Sequence, residues 1–104
     1  MYPFTVDCLA MCDVEEARRY YDVRRRGLGQ QFAEAVAGTF EQIAEHPLRQ
    51  RRVWRQFRKC KVPSFPFGVI YRFDGTTVDI LVVMHLARNP AQWKKLAGER
   101  GEEV

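Results

Sequence analysis

The sequence predicts a small α+β domain: an N-terminal strand, an α-helical hairpin packed on one face of a mainly antiparallel sheet, and a short C-terminal helix. Three observations lead there. Two early stretches carry apolar residues at helical spacing and are joined by Gly27-Leu28-Gly29. A later stretch, Gly68 to Leu86, alternates in strand fashion around Asp74-Gly75, a strong tight-turn signal. After it, Asn89-Pro90 opens a segment whose apolar anchor is Trp93. A chain of 104 residues fits one domain with a modest core.

In chain order, Pro3 to Leu9 alternates weakly through Phe4, Val6 and Cys8 and suits a first strand. Asp13 sits where an N-cap belongs, with Glu15 and Glu16 behind it to meet the positive end of the helix dipole. Val14, Ala17 and Tyr21 then predict an amphipathic helix over 13–26. Gly27-Leu28-Gly29 breaks it. Phe32, Val36, Phe40 and Ile43 form the stripe of a second helix over 30–45, which His46-Pro47 ends because a residue before proline avoids helical angles. So short a link implies an antiparallel hairpin.

The stretch Leu48 to Lys61 starts as a surface loop and becomes a strand from about Arg55. A two-residue turn at Asp74-Gly75 would set Tyr71 opposite Val78, Arg72 opposite Thr77, Ile70 opposite Asp79 and Gly68 opposite Leu81. On that register Val69, Tyr71, Phe73, Val78, Ile80, Val82, Met84 and Leu86 share the face that receives the helices. Ile70, Arg72, Asp79, Leu81, Val83 and His85 share the other. That second face is half apolar, which predicts a partner over part of it. The short last helix covers Ala91 to Leu96, with Asn89 as its cap and Pro90 suited to its first turn, so the domain spans 1–97, and 98–104 is a charged, frayed tail.

Charge is distributed unevenly. Residues 1–46 hold five arginines against eight acidic residues, a net of −3. Residues 47–97 hold eleven Lys and Arg against two Asp, a net of +9. Such a half attracts a polyanion or an acidic partner. Within it, Arg49, Arg51, Arg52, Arg55, Arg58, Lys59 and Lys61 interleave with Val53, Trp54 and Phe57. That run reads equally as a nucleic-acid surface or as a strand edge guarded by charge against self-pairing. The longest uncharged apolar run in the hairpin, Ile80 to Met84, is too short to span a bilayer, and the N-terminus carries no basic leader. The expected location is the cytoplasm. Cys8, Cys12 and Cys60 make an odd count without a CxxC pair, so they read as reduced, semi-buried thiols, and no metal or cofactor is expected.

The ordered set Asp13-Val14-Glu15-Glu16-Ala17, Tyr20-Tyr21, Gly27-Leu28-Gly29, Phe32, His46-Pro47, Phe65-Pro66-Phe67, Val69-Ile70-Tyr71-Arg72 and His85-Leu86-x-Arg88-x-Pro90-x2-Trp93 resembles the RelE/ParE superfamily of type II toxins. The resemblance covers nearly the whole chain, from Phe4 to Leu96. It implies a growth-inhibiting toxin, of the kind called plasmid stabilisation proteins, held inactive by a small acidic antitoxin. RelE-like members cut mRNA on the ribosome; ParE-like members poison DNA gyrase. RNA cleavage by the 2′-hydroxyl needs a base, an acid and a cation. The arginine that commonly opens the equivalent strand in RelE-like ribonucleases is Gly68 here, and their terminal-helix tyrosine falls closest to Trp93. His85, Arg72 and Arg88 remain as catalytic candidates. The balance favours a ParE-like toxin acting by binding rather than by chemistry. On this reading Arg58, Ile70, Arg72, Leu81, Val83 and Arg88 form the antitoxin groove. The ribosome-dependent endoribonuclease is the alternative, and a nucleic-acid-binding or inactive relic of the family is the third.

Overall fold

The computed structural model describes residues 1–101. A five-stranded sheet lies between two helical layers. Its strands are β1 (Phe4–Val6), β2 (Arg52–Trp54), β3 (Phe57–Lys61), β4 (Phe67–Phe73) and β5 (Val78–His85), in the order β1-β5-β4-β3-β2. β1 runs parallel to β5 and the other pairs are antiparallel. The helices are α1 (Cys8–Arg24), α2 (Leu28–Glu45) and α3 (Pro90–Gly101). The α+β class and the element order agree with the sequence reading. The short strand β2 is an addition to it.

The first strand ends earlier than its alternation implied, because Asp7 caps α1. Its carboxylate accepts from Leu9 N at 2.9 Å, while its own N–H donates to Ile80 O at 2.9 Å. Asp13, read as the cap, therefore sits inside α1. The second helix also starts two residues early: Gly27 supplies the left-handed turn (φ 88°) and Leu28 already lies in α2. Cys8 and Cys12 are exposed rather than semi-buried. Cys60 is half-buried, and burial pushes its thiol up.

The hairpin register differs from the expected one by two residues. Phe73 pairs with Val78 and Arg72 with Asp79, so the loop is Asp74 to Thr77 and not Asp74-Gly75 alone. The Asp74 carboxylate closes it by accepting from the N–H groups of Thr76 and Thr77, each at 2.8 Å. Those hydrogen bonds hold the Asp74 carboxyl below the usual range.

A second departure lies in β5. Tyr71 pairs with Ile80 but Ile70 pairs with Val82, so Leu81 is an extra residue, a β-bulge. Beyond it the faces swap. Val69, Tyr71, Val78, Ile80 and Val83 pack under α1 and α2 with Phe32, Val36 and Ile43. Ile70, Leu81, Val82 and Met84 form a second core with Phe57, Trp93 and Ala97. Val82 and Met84 thus leave the helix-hairpin face, Val83 joins it, and Leu86 is part-exposed.

The face expected to lie open is instead covered by α3. Asn89 caps this helix as expected, its side-chain oxygen accepting from Ala91 N at 2.8 Å. It then runs to Gly101, past the boundary assigned to a frayed tail. Residues 98–101 are helical and Arg100 is tied into the fold; the remainder of the expected tail lies outside the described residues. Arg72 bridges Asp79 (Nη2–Oδ2 2.8 Å) and the last-turn carbonyl of Gly101 (2.6 Å), where a cation suits the helix dipole.

Tyr71 ties the core to the end of the helical hairpin. It is fully buried, and its hydroxyl donates to Pro47 O at 2.7 Å. Burial pushes its phenol from 10.0 up to about 12. A raised folded-state value means this contribution is complete below pH 10 and is lost as pH rises towards 12. Tyr71→Phe should cost about 1.5 kcal/mol at pH 7, the worth of a well-made buried hydrogen bond. The gap between wild type and variant in urea titrations should close as pH rises above 10. A gap that stays constant to pH 12 would refute the assignment.

Candidate functional site

α1 presents Asp13, Glu16, Tyr20 and Arg24 at steps of three and four, so they share one face. That face flanks the end of β5. Between them opens a cleft of about 440 Å³, with Val83, Met84 and His85 from β5, Pro66 and Phe67 from the start of β4, and Arg88 from the corner before α3. Its inner wall is aromatic: Tyr21 meets Phe67 at 6.1 Å between centroids, and Phe67 meets the His85 ring at 5.3 Å. At the rim the Arg24 guanidinium lies 4.4 Å over the Tyr20 ring, which is 53% exposed. Val23, beside it, is 88% exposed.

The polar groups are set up for holding. Burial, and next the neighbouring Tyr20, push the Tyr21 phenol up, against the pull of Arg24; it stays a hydrogen-bond donor at neutral pH. His85 Nδ1 accepts from Ala87 N at 3.0 Å, so the proton of the neutral ring sits on Nε2. The ring then offers the cleft a donor and not a base. Arg24 and Arg88 supply positive charge, with Glu16 and Asp13 on the α1 wall. This combination of apolar floor, donors and two arginines accommodates an amphipathic segment carrying carboxylates. Among the described residues no three His, Cys, Asp or Glu side chains gather as metal ligands.

The family model for the ParE toxin of type II toxin–antitoxin systems matches residues 8–90. The chain belongs to the ParE toxin family. Its fold is similar to that of a chain from the chromosomal ParDE toxin–antitoxin system of P. aeruginosa, at a TM-score of 0.63 and 19% identity, over 82% of this chain and 96% of that one. No curated protein matches it. No helix among the described residues is long and apolar enough to cross a membrane.

The ParE-family fold disperses the residues singled out in the sequence. Val83, His85 and Arg88 come together in the cleft. Ile70 and Leu81, at 0% and 3% exposure, are core residues under α3, because the face that alternation left open carries a helix of its own. Arg58 shares the face of its partner Tyr71, under the helical hairpin, and its Nη1 donates to Gln50 O at 2.5 Å. Arg72 pairs with Asp79 and lies five positions along β4 from the Phe67–His85 pair, which is ~17 Å at strand rise. The trio His85, Arg72 and Arg88 therefore cannot meet at one phosphate. Sequence reasoning missed Tyr20, Tyr21 and Arg24. The signal was the outward stripe of α1, where Leu9, Tyr20 and Val23 stand among charges without an inward role.

Proposed function

We propose that this ParE-family chain is a cytoplasmic growth-inhibiting toxin that acts by binding its target, DNA gyrase by the family resemblance, and that a small acidic antitoxin neutralises it by occupying the α1–β5 cleft. The observation that carries the reading is the separation of the ionisable groups. His85 has its Nδ1 engaged, and Arg72 is tied to Asp79 and Gly101 at the far end of the hairpin. Among the described residues, His85, Arg72 and Arg88, the three candidates for RNA cleavage, do not converge on one phosphate. The cleft has what an acidic amphipathic segment recognises: aromatic walls and two arginines.

The test sets purified protein in gyrase supercoiling and cleavage assays beside primer extension on translated mRNA. Inhibited supercoiling or trapped cleavage complexes, with no new cuts in mRNA, is the expected result. Cuts at the ribosomal A site that vanish in His85→Ala would overturn it. For the cleft, Arg24→Glu with Arg88→Glu should weaken the cognate antitoxin by about 100-fold, roughly tenfold per reversed rim charge. Both side chains are exposed, so the fold should survive. Unchanged affinity would place the antitoxin elsewhere.

A further inference from the structure

We infer that the groove between the β2–β3 turn and α3 binds single-stranded nucleic acid. It lies at the Arg72–Asp79 end of the sheet, remote from the α1–β5 cleft, and the inference does not depend on the target or the antitoxin. The groove measures about 520 Å³, nucleotide scale, and its lining includes Trp54, Arg55, Phe57, Lys94, Lys95 and Gly98.

Its aromatic base is rigid. Trp54 stacks on Phe57 (5.6 Å between centroids, 17° between planes) and meets Trp93 edge-on at 6.4 Å. The backbone of α3 comes close at Gly98, where even a Cβ would stand only 3.8 Å from the Trp54 ring. On this base lies the Arg55 guanidinium, 4.4 Å from the Trp54 centroid. Arg55 has φ 51°, the left-handed region that a side chain rarely adopts, and Arg55 and Gln56 form the tight turn between Trp54 and its partner Phe57. The indole backs one face of the guanidinium. A planar cation so placed offers its edge to a phosphate and its other face to a base.

The electrostatics agree. Lys94 and Lys95 stand across the groove, Glu99 is the acidic residue among the described residues of the lining, and Arg51 and Arg52 are exposed at the adjoining sheet edge. An acidic peptide would satisfy these cations but has nothing to lay on the Arg55–Trp54 stack. A duplex keeps its bases inside and offers the groove phosphates alone. A single strand offers both.

The test is fluorescence anisotropy of labelled mixed-sequence 12-nucleotide DNA and RNA strands with the full chain, from 50 to 200 mM salt. Binding on the order of 10 µM at low salt is expected, with a log–log salt slope near −2, since each of three neutralised phosphates contributes about −0.7. An abasic strand of equal charge should bind at least about fivefold more weakly, the loss of one stacked base. Arg55→Asn with Lys94→Gln and Lys95→Gln should weaken binding at least tenfold and flatten the slope. Asparagine is chosen because it tolerates the left-handed conformation. Antitoxin affinity of the same triple variant, unchanged, confirms its fold. Failure of any strand to bind at 50 mM salt would overturn the proposal. So would equal binding by the triple variant, or equal affinity for duplex DNA or polyglutamate.

Discussion

Asp13→Ala is expected to destabilise the protein by about 4 kcal/mol, the range for removing one partner of a buried ion pair. Asp13 and Arg100 are 18% and 9% exposed in their side chains. The carboxylate accepts from Arg100 Nη1 at 2.8 Å and from Val83 N at 3.1 Å. Arg100 Nη1 also donates to Leu81 O at 2.9 Å. One ion pair thus joins the first long helix, the last helix and the backbone of β5 at and just beyond its bulge. β1 pairs with β5 through Ile80 and no farther, so these side chains take over the exposed strand edge where β1 ends. Truncating Asp13 leaves a buried guanidinium and a backbone N–H without their acceptor. Among the described residues the Arg100 Nε has no partner, so the guanidinium has little in reserve. Arg100→Met in the same chain removes the stranded charge and should return about 2 kcal/mol. Urea unfolding of the four species of this double-mutant cycle measures it. Additive losses would show that the two side chains act separately.

That ion pair also marks the limit of what the sequence discloses. The helical hairpin was legible because Phe32, Val36, Phe40 and Ile43 repeat at helical spacing and Gly27 and Pro47 bracket them. The β4–β5 hairpin was legible as a hairpin. Its register was not, because the Asp74 carboxylate gathers two threonine N–H groups and lengthens the loop. Counting alternation along β5 then failed a second time at Leu81, where nothing in the side-chain pattern announces a bulge. The slip of two leaves the alternation intact, and only the bulge changes which face a residue takes. It explains why Val82 and Met84 face α3 and Val83 does not; Ile70 and Leu81 keep the expected face and are core because α3 covers it. The last helix was underestimated for a different reason. Its apolar anchors, Trp93 and Ala97, are few, and Arg100 resembles a solvated tail charge until Asp13 is seen opposite it. The cleft was half legible: Val83, His85 and Arg88 were named, but Val83 for the face opposite the helical hairpin, and the α1 residues that complete the cleft looked like ordinary surface.

Gly29→Ala is expected to cost about 3 kcal/mol, at the upper end for overpacking, and to lower Tm by on the order of 15 °C. Here the two long helices approach backbone to backbone. A Cβ on Gly29 would stand 2.6 Å from the carboxylate carbon of Asp22 and would collide with the carbonyl oxygen of Arg18. Neither obstacle can yield cheaply. Arg18 O belongs to the α1 backbone, and Asp22 Oδ1 accepts from Gly29 N at 2.8 Å, closing the start of α2 onto α1. Gly38, in the same helix, is the control, since a Cβ there meets nothing within 4 Å. Gly38→Ala should stabilise by close to 1 kcal/mol through helix propensity alone. Opposite signs for one chemical change in one helix would separate close approach from propensity. A loss at Gly29 no larger than the ordinary surface scatter of about 0.5 kcal/mol would mean that α1 and α2 can spread, and that the helical hairpin is held by its aromatic core and not by this crossing.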